Sequence, residues 1–450
     1  MPPEHEHGRA RVRMIGVVLG CWLAATPGFA GESARWYTNI NIIDGTGAPM
    51  REHMALLVKG DRIADIVPMS AFAGSRADGD ELIDGDGRYL LPGLVDTHVH
   101  LATVPEEETP LVALRRQLYG GITSVRDMAG DIRVLAGLAR DTRLDRIAGP
   151  DVYYSALMAG ESFFEDPRPA SSARGAMAGQ VPWMQAIDAD TDMPQAVAMA
   201  RGTWASGIKI YANLPAEQVE RVTDDAHRQG VPVWAHSTVF QASPLDVVTA
   251  GVDVTSHVCR LVFETTETVP ATYHHDMTPD YSETDPGDAR ITAVLDEMKA
   301  RGTILDATLG LYGRALARHE ERHPEGDTPF TGCSPEFAAA LVRQAVARGV
   351  MISTGSDFVN PPDDPWPALH DELAALAHDA GIEPLALIHA ATLVGARVLG
   401  IDSQTGSIAV GKRADFLLIR ENPLEDIANL SSLELTVKHG HAWPRSEFQP

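Results

Sequence analysis

The chain has 450 residues, enough for two to four domains at roughly 100–200 residues each, or for one α/β barrel with an added module. Hydrophobic residues make up 44% and charged residues 22%, ordinary globular usage that excludes a disordered, collagen-like or disulfide-scaffold protein. A formal net charge of −25 excludes nucleic acid and an anionic membrane surface as partners and leaves a small molecule or a cation.

Arg9, Arg11 and Arg13 precede an apolar run from Met14 to Ala25, and small residues follow as far as Ala30. That order reads as a secretory signal peptide over residues 1–30, so the mature protein is expected to be secreted or periplasmic. Val18-Leu19-Gly20-Cys21 loosely matches a lipoprotein cleavage box, which makes a lipid anchor at Cys21 the alternative. No later stretch approaches the roughly 18 apolar residues needed to span a bilayer. Once such a leader is removed, only Cys259 and Cys333 remain, and an oxidising compartment would let them pair if the fold brings them together.

Residues 36–89 carry short apolar runs separated by Asp-Gly, Lys-Gly-Asp and Gly-Asp-Gly turns, a hairpin texture that returns over 405–445. The two ends are expected to build one composite β-sandwich. Between them, over 90–404, apolar runs alternate with helical patterns: Leu90–Thr97, Ile122–Arg126, Val152–Leu157, Ile208–Tyr211, Val231–Ala235, Val252–Ser256, Thr303–Ala307 and Val350–Ser353. The helices over 215–229, 288–301 and 334–348 have clear starts and end at Gly230, Gly302 and Gly349. Eight such units predict an α/β fold with a closed (β/α)8 TIM barrel rather than an open doubly wound sheet.

Functional side chains of such a barrel come from the carboxyl ends of its strands. The first strand ends in Asp96-Thr97-His98-Val99-His100, where alternation puts His98 and His100 on one face. Later strands end at Lys209 among apolar neighbours, at His236, at His257 and at Asp357. A single strand-end His is more often a hydrogen-bonded core residue, a single Lys a salt-bridged one, and Asp357 after Gly355-Ser356 would serve as a turn cap. Six such residues at one end of one barrel point instead to a metal site. With 17 His beside 3 Cys, its ligands would be nitrogen and oxygen.

On Leu91-Pro92-Gly93-Leu94-Val95-Asp96-Thr97-His98-Val99-His100, Lys209, His236, His257, Asp357, Ala390-Ala391-Thr392 and Gly411-Lys412-Arg413-Ala414-Asp415-Phe416, the chain resembles the amidohydrolase superfamily, in its imidazolonepropionase-like and prolidase-like branch. The resemblance runs from about Ile40 to Gly440. It implies two divalent metal ions, zinc foremost with nickel, manganese and cobalt also compatible. His98, His100 and Asp357 would hold one, His236 and His257 the other, and Lys209 would bridge them as a carbamate. Asp357 would move the proton between water and leaving group, and Tyr211, two residues past Lys209, would donate to an oxyanion. Arg260 would bind a substrate carboxylate; Arg126 would contact substrate or form an internal salt bridge.

The implied reaction is cleavage of an amide or peptide bond in a small molecule, a dipeptide or N-acyl amino acid. A lactone, cyclic amide or phosphoester hydrolase on the same site is the alternative, and a catalytically silent binding or scaffold protein is the reading from another class. Relatives often assemble, so a homo-oligomer is expected by analogy. The prolidase-like pattern of a glycine-rich stretch ending in His is replaced here by Ala159-Gly160-Glu161-Ser162-Phe163-Phe164. Residues 263–288 have the length and acidity of a lid over a barrel mouth, with His274 and His275 expected to be solvated.

Overall fold

The computed structural model describes residues 34–103, 108–273, 277–361 and 363–449. The expected signal peptide, Cys21, His274 and His275 lie outside the described residues. Among the described residues no helix is long and apolar enough to cross a membrane.

The amino-terminal run gives β1 (Ala34–Ile42), β2 (Arg51–Lys59), β3 (Arg62–Pro68), β4 (Glu81–Asp84) and β5 (Tyr89–Pro92). Eight parallel strands then alternate with helices: β6 (Leu94–Val99), β7 (Ile122–Asp127), β8 (Asp151–Gly160) and, after the short β9 (Gln180–Val181) and β10 (Met184–Ile187), β11 (Gly207–Ile210), β12 (Val233–His236), β13 (Val254–Ser256), β14 (Ile304–Asp306) and β15 (Ile352–Ser353). The chain ends with β16 (Phe416–Ile419), β17 (Leu433–Lys438) and β18 (His441–Pro444). The outer sheet has the order β18-β17-β16-β5-β1-β2-β3, with β4 also on β1, so strands from both ends of the chain build it.

Ladder pairing runs in order from β6 through β7, β8, β11, β12, β13 and β14 to β15. The first and last are joined by Thr97 N–H donating to the Thr354 carbonyl (2.9 Å) and Asp357 N–H donating to the His98 carbonyl (2.9 Å), which brings the barrel nearly to closure. The helices lie where their caps put them. Ser334 accepts from Phe337 N–H ahead of Pro335–Ala347, and Ala289–Arg301 stops at Gly302, whose φ of 78° a side chain would strain.

One expected strand divides in two. Leu90, Leu91 and Pro92 pair antiparallel with β16 in the outer sheet, and the barrel strand starts only at Leu94. Gly93 makes the change of sheet, because a Cβ there would lie 2.2 Å from the Thr123 side chain.

The outer sheet is tied to the barrel by a buried ionic knot. Asp151, the first residue of β8, accepts from Arg413 (3.0 Å) and faces His439 (3.0 Å), with Lys438 3.5 Å away. Lys438 is itself fully buried and donates to the carbonyls of Thr142 (2.6 Å) and Gly149 (3.0 Å). Burial alone would raise the Asp151 carboxyl, but His439, Lys438 and Arg143 hold it well below the usual carboxylate range. Its contribution to stability is therefore complete above the unfolded pKa of about 3.9 and lost as pH falls through the depressed folded value. Asp151→Asn should cost about 1–3 kcal/mol, because Lys438 keeps Asp145 (3.3 Å) and Arg413 keeps Asp415 (3.4 Å), read as a lower melting temperature at neutral pH.

Candidate metal centre

The carboxyl ends of the barrel strands carry the chemistry. His98 lies within β6 and His100 just beyond it, Lys209 is in β11, His236 ends β12, His257 follows β13 and Asp357 follows β15. Nitrogen or oxygen atoms of His98, His100 and Asp357 lie within 4.8 Å of one another. Asp357 Oδ1 is 2.9 Å from His100 Nε2 and 3.5 Å from His98 Nε2, and its Oδ2 is 3.7 Å from His257 Nδ1. The ring of His257 sits 5.1 Å from that of His98 and 4.9 Å from that of His236, so the four imidazoles form one cluster.

Two of the six residues have backbones that few side chains adopt: φ is 74° at His257 and 44° at Asp357. His257 directly follows β13, Asp357 lies four residues past the end of β15, and both side chains line the cavity at the barrel mouth. Left-handed residues of this kind gather at sites where function requires the geometry.

The set is supported from below by Asp306, which is fully buried. Its Oδ2 lies 2.9 Å from His98 Nδ1 and accepts from Ser256 Oγ (3.0 Å) and Arg126 Nη2 (3.2 Å). With Nδ1–H given to the carboxylate, His98 presents the Nε2 lone pair to the cavity. Thr308 holds His257 in a similar way, at 3.1 Å from Nδ1.

Burial pushes the imidazoles of His236 and His257 well below their ordinary range, leaving them neutral, the form that binds metal. Burial also brings the Lys209 ammonium down to about 7. Asp357 would be raised by burial, but the surrounding imidazoles of His98, His100 and His257 hold it far below the usual range. Desolvation moves the Tyr211 phenol up, so it keeps its proton.

The donor set fits divalent metal. Imidazoles and one carboxylate, without thiolate, surround a common space, and two buried nitrogens in it, Lys209 Nζ and His236 Nδ1, have no hydrogen-bond partner among the described residues. Buried polar atoms are seldom left unsatisfied, and a bound group meets that need here.

All six residues line a cavity of about 800 Å³, with Tyr211 and Arg260. Arg260 donates to the Tyr273 hydroxyl (3.3 Å), its guanidinium lies 5.6 Å from the centre of the Phe240 ring, and among the described residues no carboxylate pairs with it. Arg168 also reaches the cavity but makes two bonds to Asp166, at 2.9 and 2.8 Å. Arg126 is corrected by the structure: it is fully buried beneath the site, bonds the Thr97 carbonyl and Asp306, lies over the Trp234 ring and does not reach the cavity. Of its two readings, the internal salt bridge holds.

The amidohydrolase family model matches residues 89–442. The chain belongs to the amidohydrolase family. It is a hydrolase, and enzymes of this family generally use divalent metal ions. It is 26% identical over 441 residues to ochratoxinase of Aspergillus niger, spanning 86% of this chain and 81% of that enzyme. It is 25% identical over 389 residues to imidazolonepropionase of Micrococcus luteus, spanning 80% and 86% respectively. A solved Xaa-Pro dipeptidase with bound methionine in its active site superposes at a TM-score of 0.70 over 92% of this chain and 100% of that one, with 21% identity, a likeness of fold.

Against that amidohydrolase frame, the stretch that departs from the prolidase-like pattern forms a short 3-10 turn, Glu161–Glu165. It sets the Phe163 ring 4.5 Å from Tyr211. Cys259 and Cys333 form a disulfide in the cavity wall, with Cα atoms 6.3 Å apart. Sequence reasoning missed Asp306, Thr308, Arg168 and Tyr273. For Asp306 a signal existed, an acid closing the apolar run of the seventh barrel strand.

Proposed function

We propose that this amidohydrolase cleaves an amide or peptide bond in a small anionic molecule, an N-acyl amino acid or dipeptide, at a binuclear metal site. The observation that carries the reading is the convergence on one cavity of four imidazoles, Asp357 and Lys209, whose Nζ has no partner among the described residues. His98, His100 and Asp357 would hold one ion and His236 and His257 the other, with Lys209 bridging as a carbamate. The ions, zinc foremost, would supply Lewis acidity and a water acidic enough to react at neutral pH.

The remaining work belongs to side chains. Asp357 takes the proton of the attacking water and returns it to the leaving nitrogen. Tyr211 keeps its phenolic proton and donates it as a hydrogen bond to the carbonyl oxygen as negative charge develops there. Asp306 fixes the His98 ring. Arg260, which pairs with no carboxylate among the described residues, receives the substrate carboxylate.

Charge supports an anionic substrate. Arg168, Arg260 and Arg318 line the cavity, while Asp357 is the one carboxylate on its wall among the described residues. A cationic mouth in a chain of net charge −25 focuses small anions on the site. The reading also includes export: the pattern of residues 1–30 and the Cys259–Cys333 disulfide both suit an oxidising compartment.

The test is metal analysis of purified protein together with a screen of N-acyl amino acids, dipeptides and lactones. Two divalent ions per chain and turnover of amides are expected. Less than one tightly bound ion, or turnover of lactones alone, would overturn the reading. Arg260→Met should raise KM roughly 10–100-fold for carboxylate-bearing substrates, from about 1.5–3 kcal/mol of charge-assisted bonding, and leave the matching neutral carboxamides unaffected.

A further inference from the structure

Beside the metal centre lies a second chamber of about 360 Å³. It shares His100, Met128, Arg168, Tyr211 and Val359 with the main cavity, so the two adjoin at these side chains. Its inner wall is apolar: Leu101, Leu157, Phe163, Pro169 and Met184. Leu157, Phe163 and Met184 belong to one packed cluster and are almost fully buried. No carboxylate lines the chamber among the described residues, and its guanidinium, Arg168, is bonded to Asp166. Thr103, Thr109 and Ser172 also line the chamber, but most of its surface is apolar, and an apolar group fits that greater part.

The arrangement around Tyr211 gives the substrate a direction. His236, His257 and Arg260 line only the main cavity, whereas His100 and Tyr211 line both spaces. An amide carbonyl lying over the imidazole cluster beside Tyr211 has one substituent toward Arg260 and the other toward the chamber. In an N-acyl amino acid the carboxylate belongs to the amine half, so the acyl half is the one left to enter the chamber.

We propose that this chamber is the acyl subsite and that the enzyme prefers amino acids acylated with a bulky apolar group, a specificity that rests on the amide-hydrolase reading above. Its volume equals about a dozen water molecules at ~30 Å³ each. That is room for a chain of roughly eight to ten carbon atoms.

The experiment follows kcat/KM of the metal-loaded enzyme for one L-amino acid carrying acetyl, butanoyl, hexanoyl and octanoyl groups. Each buried methylene is worth up to about fourfold, so a rise of at least tenfold from acetyl to octanoyl is expected. Met184→Trp, which fills the chamber, should lower the octanoyl-to-acetyl ratio at least tenfold, and Met184→Ala should move the optimum to longer chains. Should the tryptophan variant fail to fold, judged by circular dichroism and melting, the alanine variant decides alone. Calorimetric binding of the same compounds separates the two readings. Cleavage without dependence on chain length, or with unchanged ratios in the variants, overturns the chamber and leaves the amide assignment. Affinity that rises with length and falls in Met184→Trp, without cleavage, overturns the amide assignment and keeps the chamber.

Discussion

Asp357→Asn is expected to lower kcat by about 10²–10⁴-fold, the range associated with loss of a positioned acid–base group, while the protein stays folded. The fold should survive because the link between the ends of the barrel uses the Asp357 backbone N–H and the His98 carbonyl, neither of which changes. Asparagine also tolerates the left-handed backbone, with φ of 44°, that this position requires. What changes is the side chain: a carboxamide cannot take a proton from water, and its NH2 group turned toward His98 and His100 would face lone pairs instead of offering one. Metal content should fall with the activity, since one of the three groups gathered within 4.8 Å loses its charge. Steady-state kinetics and metal analysis of the same preparation check both. Turnover within tenfold of the parent enzyme would remove Asp357 from the proton-transfer role.

The parts of this fold that repeat were legible from sequence, and the parts made by long-range contact were not. Each barrel strand announces itself as an apolar run bounded by polar residues, and several carry at or near their ends a residue whose type is costly to bury without a purpose, as with Lys209, His236 and His257. Asp306 carries the same mark, an acid closing an apolar run, but its role becomes legible only when β14 brings it under His98, 208 residues away in the chain. Arg126 shows the converse, a charged residue at a strand end that faces the interior because Asp306 and the Trp234 ring are there to receive it. The outer sheet takes Leu90 to Pro92 because the barrel cannot begin until Gly93 has let the backbone pass Thr123.

The side chamber is invisible in sequence for a related reason. Leu157, Phe163 and Met184 read as ordinary core, and only their common face toward His100 and Tyr211 separates them from it. Net charge was similarly blind to the cavity. A total of −25 describes the whole chain, while three arginines line the cavity beside one carboxylate among the described residues.

Lys209→Ala tests the binuclear assignment most directly, and its expected effect is a loss of at least ~10³-fold in kcat/KM, about 4 kcal/mol of transition-state stabilisation. Lys209 is 1% exposed, and its Nζ has no hydrogen-bond partner among the described residues. A bare ammonium would be a poor occupant of that position, desolvated and set among imidazoles. As a carbamate the same side chain becomes an anion that two dications can share, and its burial is then matched by charge. Alanine removes that anion, so two ions held close together would repel without compensation, and metal content should fall to one ion per chain or less. Arginine in the same place should be equally inactive, because a guanidinium stays cationic and does not form the carbamate. A small carboxylate supplied in solution, such as acetate or propionate, fits the space vacated in the alanine variant and should restore part of both metal content and activity. Labelling the parent enzyme with ¹³C-bicarbonate should give a carbamate carbon resonance that is missing from Lys209→Ala. If the alanine variant keeps two ions and most of its activity, Lys209 is not the bridge, and the cluster would have to be rebuilt around His98, His100 and Asp357 as a single-metal site.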